Sequence, residues 1–103
     1  MKQHKYRAVR TVVDGISFPS KKEAARYVVL KRQELMGFIS NLRRQVRYEL
    51  NEGGNFKYAY FADFVYEQAG ITYVEDSKGY RTREYKKKAK LMLKIYGITI
   101  KEV

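Results

Sequence analysis

A chain of 103 residues has room for one domain built around one modest core. At 45% hydrophobic and 32% charged residues it reads as a soluble globular protein, and the absence of cysteine excludes disulfides and thiolate zinc sites. Lys plus Arg number 22 against 11 acids, giving a net charge of +11, the electrostatic footprint of a polyanion binder.

No apolar run reaches the length of a membrane span and MKQHKYRAVR does not read as a signal peptide, so a cytoplasmic protein is expected. The charge is unevenly spread. Residues 1–50 carry 12 bases and 4 acids, residues 80–103 carry 8 and 2, and residues 51–79 reverse the sign with 2 and 5. A small acidic island therefore sits inside a basic molecule.

His4, the only histidine, lies in the basic N-terminal stretch and is not expected to be catalytic. In TVVDGISF, Asp14-Gly15 between apolar runs signals a type I′ hairpin, so residues 1–19 are expected to form an N-terminal hairpin. Ser20-Lys21-Lys22-Glu23 is a capping-box pattern, and a helix is expected from there to Met36, stopped by Gly37. Ala24, Tyr27, Val28 and Leu35 fall on its apolar face. Gln45–Leu50 alternates as a strand, with Val46, Tyr48 and Leu50 on one side. Gln45 itself either holds water or substrate or, by the commoner outcome, faces solvent. Asn51–Asn55 reads as a turn and Phe56–Tyr66 as a long strand. Glu67–Gly70 reads as a short reversal into a strand from Ile71 to Lys78. Thr82 caps a second helix to Tyr96, with Tyr85, Ala89, Met92, Leu93 and Tyr96 at helical spacing; Gly97 ends it before a last strand, Ile98–Val103. Tyr48, Tyr60 and Tyr66 are expected in the core. A strand, helix and strand in that order favour a parallel crossover, so residues 20–103 read as an αβββαβ core with a mixed sheet.

The acidic island centres on YVEDSKGY, where an apolar strand runs into charge. Strand alternation sets Asp76 and Lys78 on one side and Glu75 on the other. If the Glu67–Gly70 reversal is symmetric, Tyr66 pairs with Ile71 and Asp63 with Val74, which places Asp63 diagonally from Asp76 on the same face. Two close carboxylates ionise together when a cation lies between them, and an all-oxygen donor set points to Mg²⁺, with Mn²⁺ able to substitute. Beside them a lysine suits phosphodiester cleavage, by orienting water and offsetting phosphate charge. The plain alternative for Asp76 and Lys78 is a neutralising surface pair. For Glu23 it is the helix cap alone.

The αβββαβ order, with Asp63 on the second core strand, Asp76-Ser77-Lys78 on the third and Glu23 on the first helix, resembles the PD-(D/E)XK nuclease superfamily, a restriction-endonuclease-like fold. More narrowly, VDGISFPSKKEAARY, YFADFVY, YVEDSKGYRTREYKKKAKLM and YGITIKEV look like a small phage- and prophage-borne family of uncharacterised proteins. The resemblance implies a Mg²⁺-dependent DNA endonuclease with Asp63 and Asp76 as metal ligands and Lys78 as the catalytic lysine. Glu23 matches the family's first-helix acid. Ala62 stands where the superfamily's proline would be, and a bulged strand would present Glu75 in place of Asp76. Phage recombination or replication is the implied setting, with branched DNA as substrate and a homodimer as the acting form. For DNA contacts the basic second helix supplies Arg81, Arg83, Lys86, Lys87 and Lys90, with Tyr80 before it; Arg44 and Arg47 (with Arg43) form a second basic stretch. A non-catalytic DNA-binding or packaging protein of the same fold, and an RNA-directed nuclease, are the competing readings.

Overall fold

The computed structural model describes residues 9–51, 57–77 and 81–103. His4, most of the expected Asn51–Asn55 turn, Lys78 and Tyr80 lie outside the described residues. The elements are β1 (Thr11–Val13), β2 (Ile16–Phe18), α1 (Lys21–Leu35), β3 (Ser40–Glu49), β4 (Ala59–Gln68), β5 (Ile71–Asp76), α2 (Arg83–Tyr96) and β6 (Lys101–Glu102). The hairpin β1–β2 stands apart as a two-stranded sheet, and the main sheet runs β3-β4-β5-β6. It is a mixed α+β fold: β3, β4 and β5 are antiparallel neighbours, while β6 joins β5 in parallel after α2 crosses over.

Local chemistry explains the ends of these elements. Asp14 and Gly15 have φ of 53° and 75°, the two positive values of a type I′ turn, so the hairpin forms where expected. The Ser20 hydroxyl accepts from the Glu23 N–H and starts α1; the Thr82 hydroxyl accepts from the Tyr85 N–H and starts α2. Gly97, at φ 70°, closes α2 in the left-handed conformation that a side chain resists.

Each helix covers one face of the sheet. Phe64 and Tyr66 of β4 pack with Phe18, Ala24, Tyr27, Leu30 and Ile39 beneath α1. Tyr60, Ala62, Val65 and Val74 pack with Leu50, Tyr85, Met92 and Ile100 beneath α2. Tyr60 and Tyr66 are core as expected, and Tyr48 packs on the α2 side half-buried. The α1 face turns differently from expectation: Leu30 is fully buried and Leu35, in the last helical position, is 78% exposed.

The β4–β5 register differs from expectation. The reversal after β4 is the two-residue turn Ala69-Gly70, with φ of 52° and 80°, and the strands run on through Glu67 and Gln68. Gln68 therefore faces Ile71 and Tyr66 faces Tyr73, a slide of two residues from the symmetric four-residue reversal. Phe64 faces Glu75 and Val65 faces Val74, so Asp63 does not pair with Val74. A slide of two preserves which face each residue takes.

Candidate metal centre

Alternation along β4 breaks at Asp63. Ala62 and Val65 both pack on the α2 side, leaving Asp63 and Phe64 between them. Across the sheet the ladder pairs Arg44 with Phe64 and Val46 with Ala62, so Gln45 lies at the position opposite Asp63. Gln45 has φ 50°, a left-handed backbone in mid-strand that glutamine seldom adopts. Strain of this kind gathers at functional sites.

The kink turns three side chains toward one another. The Gln45 amide donates to Glu23 Oε2 at 3.3 Å and to Asp63 Oδ1 at 3.3 Å. Asp63 Oδ2 accepts from the Ser77 N–H at 2.8 Å and from its hydroxyl at 2.9 Å. Glu23 is buried on the first turn of α1, where its carboxylate also meets the Arg44 guanidinium at 3.5 Å. Burial pushes the Glu23 carboxyl above its ordinary value, the negative charge of Asp63 pushes it further, and Arg44 pulls against both. Glu23 is thus both a capping residue, through its N–H, and a member of the site, through its carboxylate. Gln45 is exposed as the sequence suggested, yet its amide links the two acids. That role had no sequence signal, because nothing in QVRYEL announces a left-handed residue.

Asp76 takes a different partner. It is 1% exposed, and its Oδ2 accepts from the Tyr60 hydroxyl at 2.6 Å on the α2 side. Its main-chain oxygen accepts from the Val103 N–H at 3.0 Å, so the chain beyond β6 ties down the end of β5. Burial and the hydrogen bond to Asp76 drive the Tyr60 hydroxyl far above its ordinary value, keeping it a donor. Glu75 points the other way, under α1. It is fully buried, and the Arg26 guanidinium clasps it in two bonds of 2.7 Å while the Tyr66 hydroxyl donates as well. Burial works to raise the Glu75 carboxyl, but Arg26, Tyr66 and Lys101 together hold it below its ordinary value. Glu75 belongs to the core, and the strand carries no bulge that would exchange it with Asp76.

Among the described residues no three acid or imidazole groups converge as a ready-made metal cluster. The site instead offers a linked pair, Glu23 and Asp63, and Asp63 is bonded to Ser77, the residue that follows Asp76. That donor set fits a hard cation, which one or two carboxylates plus water suffice to bind. Two observations support the fit: the two acids repel, and a positive amide edge lies between them. Tyr60 gives Asp76 the outer-shell hydrogen bond that ligating carboxylates carry.

The basic residues divide in two. Arg44 is committed to Glu23 and lies over the Phe18 ring at 4.3 Å, so it shapes the site and is not a free DNA contact. Arg43 meets Glu67 at 2.5 Å, Arg47 meets Glu49 at 3.1 Å and Arg81 meets Glu102 at 3.0 Å. Arg83, Lys86, Lys87 and Lys90 are exposed along α2. Lys87 and Lys88 each lie 5.3 Å from the Tyr58 ring.

A family model described as "Protein of unknown function (DUF1064)" matches residues 3–101. The chain belongs to this family. Glu23, Gln45, Asp63, Asp76 and Lys78 all fall within the stretch that the DUF1064 model matches. No curated protein and no solved structure gives a significant match to the chain. Among the described residues no helix is long and apolar enough to cross a membrane.

Proposed function

We propose that this DUF1064 chain is a divalent-cation-dependent DNA endonuclease of the PD-(D/E)XK type. The observation that carries the reading is the linked pair of Glu23 and Asp63, bridged by Gln45 at 3.3 Å to each, in a chain of net charge +11. Asp63 and Glu23, together with Asp76, would hold Mg²⁺ or Mn²⁺. When bound, the cation supplies charge neutralisation at the phosphate and activation of water. Ser77 fixes the orientation of Asp63 through two bonds to one oxygen, leaving the other turned toward Gln45. Tyr60 holds Asp76 with one bond to its Oδ2. Lys78 follows Ser77 directly and is the proposed catalytic lysine; the exposed lysines of α2 would grip the phosphate backbone. By resemblance, branched DNA of phage recombination is the proposed substrate, a homodimer the acting form and the host cytoplasm the setting.

The deciding experiment incubates the protein with junction, flap, linear duplex and single-stranded DNA, and with RNA, in Mg²⁺, Mn²⁺ or EDTA. Cleavage of DNA that EDTA stops and Asp63→Asn or Asp76→Asn abolishes, with DNA binding retained, is the expected result. Equal cutting by the wild type and both variants would remove the site assignment. A second reading, a DNA-binding accessory that retains the fold, draws on the burial of Asp76 against Tyr60. It requires binding without cleavage in every metal.

A further inference from the structure

Gln45 meets both acids through a single nitrogen, Nε2, at 3.3 Å from Glu23 Oε2 and 3.3 Å from Asp63 Oδ1. Its backbone is held at φ 50° to do so, opposite the point where β4 loses its alternation. An amide nitrogen is the positive edge of a dipole, and it here occupies carboxylate lone pairs that a bound cation would need. We propose that Gln45 is a positioning residue whose amide stands in for a divalent cation between Glu23 and Asp63 and is displaced when the cation binds. The proposal rests on the metal-dependent reading of the site.

Two consequences follow from that competition. The cation-free protein keeps two repelling carboxylates at a fixed spacing, so the site is ordered before any ion arrives. Displacing the amide also lowers the intrinsic cation affinity. Cation loading then awaits oxygens from a DNA phosphate, since Mg²⁺ is commonly held by one or two carboxylates together with substrate phosphates. Gln45 would thereby couple metal loading to DNA binding.

The test is calorimetric titration of the full chain with Mn²⁺ and with Mg²⁺, without DNA. Gln45→Leu removes the amide. Gln45→Asn keeps an amide and tolerates the left-handed backbone, but is one methylene too short to span both acids. Both variants are expected to bind the cation about 3- to 10-fold more tightly than wild type, the scale of one typical net hydrogen bond. Their melting temperatures without metal should fall and their metal-induced gains in melting temperature should grow. Unchanged affinity in both variants would overturn the proposal, and so would weaker binding, which would make Gln45 a ligand. Absence of binding in wild type and variants alike would overturn it as well. Asp63→Asn is the separate control: cation binding equal to wild type would defeat the metal site itself, whatever Gln45 does.

Discussion

Glu75 accepts both forks of Arg26 while its neighbour Asp76 takes the Tyr60 hydroxyl on the opposite face of β5. One is a buried ion pair with a third donor, the other a candidate ligand with an outer support. The difference is testable by stability. Glu75→Gln leaves Arg26 with a neutral partner under α1 and is expected to cost about 2 kcal/mol, in the range for hydrogen bonds to charged groups. A chemical denaturation curve measures it, and a cost near zero would show that Arg26 finds other partners. The pH dependence has a defined sign. The Glu75 carboxyl lies below its ordinary 4.5 when folded, so its stabilisation is complete above that value and is lost as pH falls through the folded pKa. Glu75→Gln should therefore flatten the acid limb of the stability curve. Glu23 acts in the opposite sense: burial and Asp63 raise it, so its charge opposes folding at neutral pH. Residue by residue, the sequence held Glu23, Asp63 and Asp76, and strand parity correctly put Glu75 and Asp76 on opposite faces. It singled out Gln45 without showing its link to the acids, which depends on a backbone angle, and it could not show Arg44 committed to Glu23, which depends on distant packing.

Elements were legible where one residue decides them. Ser20, Asp14-Gly15, Thr82 and Gly97 each act through a local hydrogen bond or a positive φ, and each stands where expected. The β4–β5 register failed because EQAG contains two turn residues and two strand residues, and composition does not separate them. Ala69, at φ 52°, occupies a position that suits Asn or Gly. Ala69→Asn should stabilise the protein by about 0.5–1 kcal/mol, and Gly70→Ala should destabilise it by a similar amount, as thermal melts would reveal. For α2 the expectation concerns the proposed DNA grip. Replacing Lys86, Lys87 and Lys90 one at a time should leave the fold intact and weaken DNA binding for every sequence. Each should flatten the slope of log K against log salt by about 0.9. An unchanged slope would reduce these lysines to a solvated face. Lys87 is the most constrained of the three, because Tyr58 lies beneath it.

At the scale of the whole molecule, two apolar clusters on opposite faces of one sheet give a three-layer arrangement: α1 with the N-terminal hairpin, the sheet, and α2. The layer order was legible because the helices alternate with strands; the division of the core was not, because the break in alternation at Asp63 moves residues between faces. The candidate site lies at that break, fed by α1 from one layer and by β4 and β5 from another. Of the acidic island, Asp63, Glu67, Glu75 and Asp76 each have a partner, and exposed bases line the outside of α2.

The tight Ala69-Gly70 turn also bears on the order of events in folding. It makes β4 and β5 near neighbours in sequence, so their hairpin closes a short loop and forms on the microsecond scale typical of hairpins. Asp63, Asp76 and Ser77 would then be brought together before α1 docks, since Glu23 lies 40 residues ahead of Asp63 along the chain. Truncations in the hairpin, such as Val65→Ala and Val74→Ala, should slow folding in stopped-flow traces, whereas Ala24→Gly and Leu30→Ala should mainly speed unfolding. The reverse pattern would mean that α1 nucleates the domain. In the expected order, half of the site is assembled early and the other half arrives with the helix, so the two acids that repel meet last.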